Sequence, residues 1–398
     1  MKVLMVNKFL YYRGGAETYF LKIGKYLEQQ GHQVEYFGMY DEKNVVGNRC
    51  ELYTENMDFH TSSWKKILYP FRIIYSFDAA KKIEKIIDAF QPDVIHLNNI
   101  NFQLTPSIIE VAAKCHVPVV QTVHDYQMLC PNHLMYNEYY GGVCERCIHG
   151  SKWNCARGKC IHGSRVKSIL GSVEAELYQA KKTYQKVSKY ICPSHFMEEK
   201  LLENPIFHNK TVTKHNFIEM LPITKTQTDE EYVLFFGRLS EEKGLDLFLN
   251  ACKELPHISF VIAGSGPLEA ICKIIPNVSF VGFKVGEELN QLISNALFSV
   301  YPSIWYENCP LSVLESEMLG TPVLASKMGG IPELILEGET GVLLEELSTE
   351  CVKRQIEALY QDREKINYMS QKCLSRRESL ITLEEYCKFL LEIYSQVV

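Results

Sequence analysis

The sequence predicts an α/β protein with two parallel sheets in tandem, because short apolar runs alternate with helical patterns and this alternation restarts midway. At 398 residues the chain is too long for one compact core. Its composition, 46% hydrophobic and 23% charged, is ordinary for a globular protein. We therefore expect two Rossmann-like domains, 1–216 and 217–380, followed by a closing segment, 381–398.

In the first half, the apolar run 3–9 reads as a strand and 16–30 as a helix that Gly31 ends. Further buried strands are predicted at 34–37, 93–97, 117–123 and 190–192. An insertion, 126–163, is rich in cysteine, and a second one, 62–90, is rich in aromatic and basic residues.

In the second half, the predicted strands are 232–236, 258–263, 278–281, 297–301 and 323–325, and a helix is predicted at 245–255. The polar stretch 222–230 is typical of a linker. The last segment, 383–398, has apolar residues at helical spacing, which predicts an amphipathic helix that packs back onto the first domain.

Two cations follow the first strand of the second domain. Arg238 and Lys243 lie where that strand ends and a helix begins. In open α/β sheets, ligands bind beyond the carboxyl ends of the strands. An arginine fork and a lysine point charge suit a pyrophosphate there, although two surface cations on a loop are the ordinary alternative.

Two carboxylates follow a later strand of the same domain. Glu307 precedes a predicted helix and Glu315 lies inside it, with Asn308 as the expected N-cap and Pro310 in the first turn. The helix terminus offers N–H groups to a phosphate, and the carboxylates can accept hydrogen bonds from sugar hydroxyls. A solvated pair of charges is the plain alternative.

Taken together, Arg238-x4-Lys243 and Glu307-x7-Glu315 resemble the motifs of the family 4 glycosyltransferases, whose GT-B fold places two Rossmann-like domains across a cleft. The first domain is similar as well, with Gly14-Gly15-x-Glu17 after the first strand and His124-Asp125 after a later one. The resemblance implies a hexosyltransferase that uses a nucleotide-sugar donor.

The resemblance also implies roles for individual residues. Catalysis would involve His124 beside the anomeric centre and Glu307 on the hexose. The donor would be bound by Gly14, Gly15, Arg238, Lys243, Phe283, Glu307, Asn308, Cys309, Leu311 and Glu315. The first domain would receive the acceptor, a glycan or a lipid-linked glycan, in the synthesis of a surface polysaccharide.

The chain contains no Asp-x-Asp pair, the motif with which the other main glycosyltransferase fold holds a divalent cation on the diphosphate. The charge of the leaving group would instead be stabilised by Arg238, Lys243 and a helix terminus, without a catalytic metal. The resemblance implies retention of anomeric configuration, by displacement on the same face of the sugar.

Five cysteines lie within the insertion. The spacing of Cys144, Cys147, Cys155 and Cys160 suits tetrahedral ligation of a structural zinc ion, and Cys130 is the alternative ligand. Disulfides, unligated thiols and an iron–sulfur cluster are the competing interpretations.

Charge is unevenly distributed. Residues 1–200 carry 25 Lys and Arg against 20 Asp and Glu, whereas the whole chain has a net charge of −6. This balance does not favour a nucleic-acid partner. The basic half and the segment 64–75 could contact the inner leaflet of a membrane; random scatter of charge and an ordinary docked helix are the alternatives. With no secretory signal visible, we expect a cytoplasmic protein.

Two other functions are compatible with this pattern. The chain could be a different GT-B enzyme, either a phosphorylase or a sugar-nucleotide epimerase. It could also be a non-catalytic GT-B subunit that supports an active transferase.

Overall fold

The computed structural model describes residues 1–56, 73–223 and 231–398. The chain divides into two compact units: residues 1–216 together with 383–398, and residues 217–382. Most of the aromatic and basic segment 64–75 and most of the polar stretch 222–230 lie outside the described residues. Their roles in membrane contact and as a linker therefore stay predictions.

The first unit contains a parallel sheet and a small antiparallel hairpin. Its strands are β1 (Lys2–Val6), β2 (Gln33–Phe37), β3 (Val94–Leu97), β4 (Val119–Thr122), β5 (Tyr136–Asn137), β6 (Gly142–Val143), β7 (Lys189–Cys192) and β8 (Thr211–Thr213). The strand order in the six-stranded parallel sheet is β2-β1-β3-β4-β7-β8, and β5 pairs with β6 in the hairpin. The central strands are almost completely buried, as expected for a sheet covered by helices on both faces.

The helices of the first unit lie between its strands in the chain and after them. They are α1 (Gly15–Gln29), α2 (Phe77–Phe90), α3 (Ser107–Lys114), α4 (Asn154–Arg157), α5 (Arg165–Ala180) and α6 (His195–Leu202). In α1, Tyr19, Ile23 and Leu27 recur every four residues and are buried, so one face of the helix packs on the sheet.

The second unit repeats this architecture. Its strands are β9 (Val233–Arg238), β10 (Phe260–Ser265), β11 (Val278–Gly282), β12 (Phe298–Tyr301), β13 (Val323–Ser326) and β14 (Gly341–Leu344). All of them are parallel, in the order β11-β10-β9-β12-β13-β14. Its helices are α7 (Leu245–Glu254), α8 (Glu269–Cys272), α9 (Gly286–Asn295), α10 (Leu311–Met318), α11 (Ile331–Leu334), α12 (Thr349–Gln361) and α13 (Arg363–Arg376).

Both faces of the second sheet are buried. Along β9, Val233 and Phe235 belong to one apolar cluster, whereas Leu234 and Phe236 belong to another. Since successive side chains of a strand point to opposite faces, helices must cover both sides of this strand. The predicted class, an α/β fold with two parallel sheets, is confirmed.

The chain ends in helix α14 (Leu383–Val397), which belongs to the first unit and packs against α1. Its buried residues include Tyr386, Leu390 and Tyr394. In the described parts of the chain, no helix combines the length and the apolar character that crossing a bilayer requires.

Strand order identifies where ligands are expected. In the second sheet, chain direction along the sheet reverses between β9 and β12; in the first sheet it reverses between β1 and β3. Open parallel sheets bind ligands outside the carboxyl ends of the strands at such a switch point. Both places carry polar side chains.

Candidate functional site

The first predicted cation lies at the carboxyl end of β9. The Arg238 side chain is 67% exposed, and its Nη1 lies 3.6 Å from Oε1 of Glu242. A long ion-pair contact at an exposed position contributes little to stability. The guanidinium is therefore accessible to an anionic ligand.

The turn after β9 packs directly on the loop after β12. Gly244 has a φ of +70°, and a Cβ at this position would lie 1.9 Å from the carbonyl oxygen of Pro302. Only glycine tolerates both the backbone conformation and this close approach. The contact brings Lys243, one residue earlier, next to the side chains that follow β12.

Lys243 forms a buried ion pair with Glu307. Its Nζ donates to Glu307 Oε1 at 2.7 Å and to the Tyr301 hydroxyl at 2.8 Å. Burial alone lowers the pKa of Lys243, but the Glu307 carboxylate and the Tyr301 phenol outweigh it, so this pKa is raised. For Tyr301, burial and Glu307 raise the phenol pKa to about 12. Lys243 thus stays positively charged at neutral pH.

The backbone of Glu307 is fixed by the turn that follows β13. Gly330 N donates to the Glu307 carbonyl at 2.8 Å, and Glu307 forms an isolated β-bridge with Gly329. Glu307 therefore cannot shift without disturbing a neighbouring turn.

Two further side chains hold the Glu307 carboxylate. Ser303 Oγ lies 2.7 Å and Trp305 Nε1 lies 2.6 Å from Glu307 Oε1, the oxygen that Lys243 also contacts. Neither residue was predicted from the sequence. The available signal was a tryptophan, one of three in the chain, two residues before a predicted site carboxylate.

The remaining predicted donor residues of the second unit follow the carboxyl ends of its strands. Helix α10 begins at Leu311, and Pro310 rather than Asn308 is its N-cap, because the chain is still extended at Pro310 (φ −67°, ψ 119°). The N-cap prediction was therefore wrong. Cys309 is buried, and Glu315 is partly buried in the second turn of α10.

Phe283 follows β11, the edge strand, and is 66% exposed. Within the described part of the chain, no hydrogen bond, ion pair or ring contact joins it to Lys243 or Glu307. Its predicted role in binding the base of the donor stays a prediction.

In the first unit, His124 follows β4. Its Nε2 lies 2.8 Å from Asn98 Oδ1, and its ring meets the edge of the Tyr19 ring at 4.9 Å between centroids. Burial lowers the pKa of His124 to about 4, against the opposing effect of Asp125. The imidazole is therefore neutral at physiological pH. Gly14 is the N-cap of α1, and Gly14 and Gly15 are both exposed.

A polar network surrounds Asp125. Asn101 Nδ2 lies 2.5 Å from Asp125 Oδ2, and Lys8 Nζ donates to Asn101 Oδ1 at 2.7 Å. Burial lowers the pKa of Lys8, while Asp125 and Glu17 raise it. These side chains follow β1, β3 and β4, at the switch point of the first sheet. Neither Lys8 nor Asn101 was predicted from the sequence as a site residue.

The predicted zinc site finds no support. Among the described residues, no group of three or more His, Cys, Asp or Glu side chains is placed to hold a metal ion. Side-chain hydrogen bonds join Cys130 to Cys147 and Cys155 to Cys160, and the two pairs lie close enough to raise the pKa of each other's thiols. Cys144 is only partly buried, and all of these cysteines are unpaired by disulfides.

Two curated relatives cover much of the chain. A protein of Klebsiella pneumoniae described as an uncharacterized 42.6 kDa protein in the cps region is 26% identical, over 84% of this chain and 87% of that protein. The O-antigen biosynthesis glycosyltransferase WbnH of Escherichia coli is 30% identical, over 57% of this chain and 63% of that protein.

Among solved structures, HepE of Anabaena, crystallised in complex with UDP and glucose, superimposes with a TM-score of 0.70. The superposition covers 100% of both chains at 17% identity. This similarity establishes the GT-B fold.

Family comparisons account for nearly the whole chain. Residues 13–220 match the family described as Glycosyltransferase Family 4, and residues 217–375 match the one described as Glycosyl transferases group 1. The first match alone spans more than half of the 398 residues. The chain therefore belongs to glycosyltransferase family 4, a family of transferases.

Proposed function

We propose that this protein transfers a hexose from a nucleotide-sugar donor to a glycan or a lipid-linked glycan, in the synthesis of a surface polysaccharide. The observation that carries the proposal is the contact between Lys243 and Glu307 at the switch point of the second sheet. The exposed Arg238 lies at the end of the adjacent strand β9.

The chemistry of these groups fits a departing nucleoside diphosphate. Arg238 offers a fork of N–H donors, and Lys243 uses two of its three N–H groups on Glu307 and Tyr301, which leaves one for a phosphate oxygen. Fixed cations that meet charge as it develops on the leaving group stabilise the transition state. We propose that they do so without a divalent cation and that the anomeric configuration is retained.

The carboxylates and the first unit complete the proposal. Glu307 and Glu315 would accept hydrogen bonds from hydroxyl groups of the hexose and the ribose, respectively. Neutral His124, oriented by Asn98, would lie beside the anomeric centre of the transferred sugar. Two likenesses support this assignment: HepE was crystallised with UDP and glucose, and WbnH is named for O-antigen biosynthesis.

The proposed acceptor is presented at the inner face of a membrane. The excess of Lys and Arg in residues 1–200 supports this part of the proposal. Co-sedimentation with vesicles should increase with the fraction of anionic lipid. Binding that ignores lipid charge, or no binding, would count against it.

The donor is tested by thermal-shift screening against UDP-, GDP-, TDP- and ADP-sugars, followed by a transfer assay with the ligand that stabilises the protein. We expect Glu307→Gln to lower transfer by about 100-fold or more, the loss typical for one electrostatic stabilising group. Glu287→Gln, at an exposed position of α9, is the matched control and should leave transfer unchanged. A protein that no nucleotide sugar stabilises, or a fully active Glu307→Gln variant, contradicts the proposal.

A further inference from the structure

Trp305 contacts both members of the buried ion pair. Its indole N–H donates to Glu307 Oε1 at 2.6 Å, and Lys243 Nζ lies 5.4 Å from the centroid of its ring. The first contact is a charge-assisted hydrogen bond and the second a cation–π interaction. One side chain therefore donates to the carboxylate and also contacts the ammonium group beside it.

The two oxygens of Glu307 have different surroundings. Oε1 is contacted by Lys243 at 2.7 Å, by Ser303 at 2.7 Å and by Trp305 at 2.6 Å. No described residue donates a hydrogen bond to Oε2. One oxygen is thus saturated by the protein, while the other retains its capacity to accept a hydrogen bond.

Lys243 and Ser303 each have a second acceptor, whereas Trp305 donates to Glu307 alone among the described residues. Ser303 Oγ also lies 3.1 Å from the Glu242 carbonyl oxygen, and its single proton can serve only one acceptor. Lys243 shares its protons with the Tyr301 hydroxyl. The indole has a single N–H, is never an acceptor, and directs that N–H at Glu307.

We propose that Trp305 is a positioning residue that locks Glu307 with Oε1 toward the protein and Oε2 toward the transferred sugar. The proposal rests on the proposed function, because it assigns the orientation of the carboxylate that would read the sugar hydroxyls. Without the indole N–H, the carboxylate can rotate and present either oxygen, which weakens recognition of the sugar and leaves diphosphate binding to Arg238 and Lys243.

The test compares two affinities in one protein: that for the stabilising nucleotide sugar and that for the same nucleoside diphosphate without sugar, both by calorimetry. In Trp305→Phe, which keeps an aromatic ring but loses the N–H, we expect the preference for the nucleotide sugar to fall about tenfold, because one charge-assisted hydrogen bond is lost. Affinity for the nucleoside diphosphate should stay within about twofold. Trp153→Phe, at a 42% exposed position of the first unit, is the matched control.

The outcomes separate the two claims. A wild-type protein that binds no nucleotide sugar overturns the proposed function and this assignment with it. Wild-type binding with an unchanged preference in Trp305→Phe overturns the assignment alone, as does an equal loss of both affinities, which indicates general damage. If Trp305→Phe does not fold, Trp305→Met decides, because it also lacks the N–H that donates to Glu307: a reduced preference for the nucleotide sugar supports the assignment, and an unchanged one overturns it.

Discussion

The phenol oxygen of Tyr386 on α14 lies 2.9 Å from the phenol oxygen of Tyr19 on α1. Tyr19 lies a further 2.9 Å from Thr122 Oγ1, which is 2.8 Å from His96 Nε2. His96 Nδ1 is 2.6 Å from the hydroxyl of Tyr394. The chain of contacts thus leaves α14 at one tyrosine and returns to it at another, two turns later.

This buried network ties the end of the chain to the first sheet beside His124. The Tyr19 ring meets both the Tyr386 ring and the His124 ring edge-on. Apolar packing of α14 would hold the helix on its own, but a satisfied polar network also fixes its register, because each buried polar group has a defined partner. We therefore expect α14 to support the position of His124.

Removal of the Tyr394 hydroxyl should destabilise the first unit. Burial lowers the pKa of His96 to about 3, so its ring is neutral, with one nitrogen as donor and the other as acceptor. Tyr394→Phe leaves Nδ1 buried without a partner, which costs about 1–3 kcal/mol in the free energy of unfolding. Urea denaturation measures the loss, with Tyr139→Phe, at a 77% exposed position, as the control. Equal stabilities of the two variants would contradict the role given to this network.

Glu174 should make stability depend on pH. It is 2% exposed on α5, and burial, reinforced by Asp125, raises its pKa from 4.5 to about 8. Between pH 4.5 and pH 8 the folded state holds a proton that the unfolded state has lost, so this group lowers stability as pH rises, by up to about 1.4 kcal/mol per pH unit, and levels off above pH 8.

Glu174→Gln removes this titration. The melting temperature of the variant relative to the wild type should therefore rise from pH 5 to pH 8 and then stay constant. Glu176→Gln, on the same helix and more exposed, is the control. Its melting temperature should change with pH in parallel with that of the wild type. Parallel curves for Glu174→Gln as well would show that this carboxyl group titrates normally.

The long apolar strands and the amphipathic helices could be predicted from the sequence, because each carries its own periodic pattern. Strands β8 (Thr211–Thr213) and β14 (Gly341–Leu344) were not predicted; β8 offers a single apolar residue between two threonines, whereas β14 was missed although residues 342–344 are apolar. The first strand was placed at 3–9 but ends at Val6. Beyond it, the Asn7 side chain donates to the Phe9 carbonyl oxygen and organises a turn.

Site residues that belong to a local sequence motif could be predicted. Those placed by a contact between distant parts of the chain could not. Lys243 and Glu307 were found from their spacing to neighbouring residues. Asn98 was missed because its contact with His124 joins two strands through their ends, 26 residues apart in the chain. Trp305 was missed because its signal, a tryptophan two residues before a predicted site carboxylate, does not tell which way the indole turns.

Lys243→Met should destabilise the second unit, because the Glu307 carboxylate would lose its cationic partner. Glu307 is 7% exposed, and its buried charge would lose its only cationic partner among the described residues. Such a loss typically costs about 3–5 kcal/mol. Adding Glu307→Gln to Lys243→Met should recover part of the loss, since no unpaired charge remains. Denaturant unfolding of the single and double variants measures this, with the exposed Lys253→Met as the control; a double variant no more stable than Lys243→Met would refute the explanation.

Replacing Gly329 should be costly for a steric reason. Gly338 is the comparison, because it has a similar positive φ but open space around it. Gly329 and Gly338 have φ values of +62° and +76°, so an alanine is strained at either position by about 1–2 kcal/mol. At Gly329 the added Cβ would also lie 2.0 Å from the Glu307 carbonyl oxygen, whereas at Gly338 nothing lies within 4 Å. Gly329→Ala should therefore lower the melting temperature further than Gly338→Ala and also weaken nucleotide-sugar binding by displacing Glu307, while Gly338→Ala leaves binding intact. If the two variants have equal effects on melting temperature and binding, the Glu307 backbone can move without affecting stability or nucleotide-sugar binding.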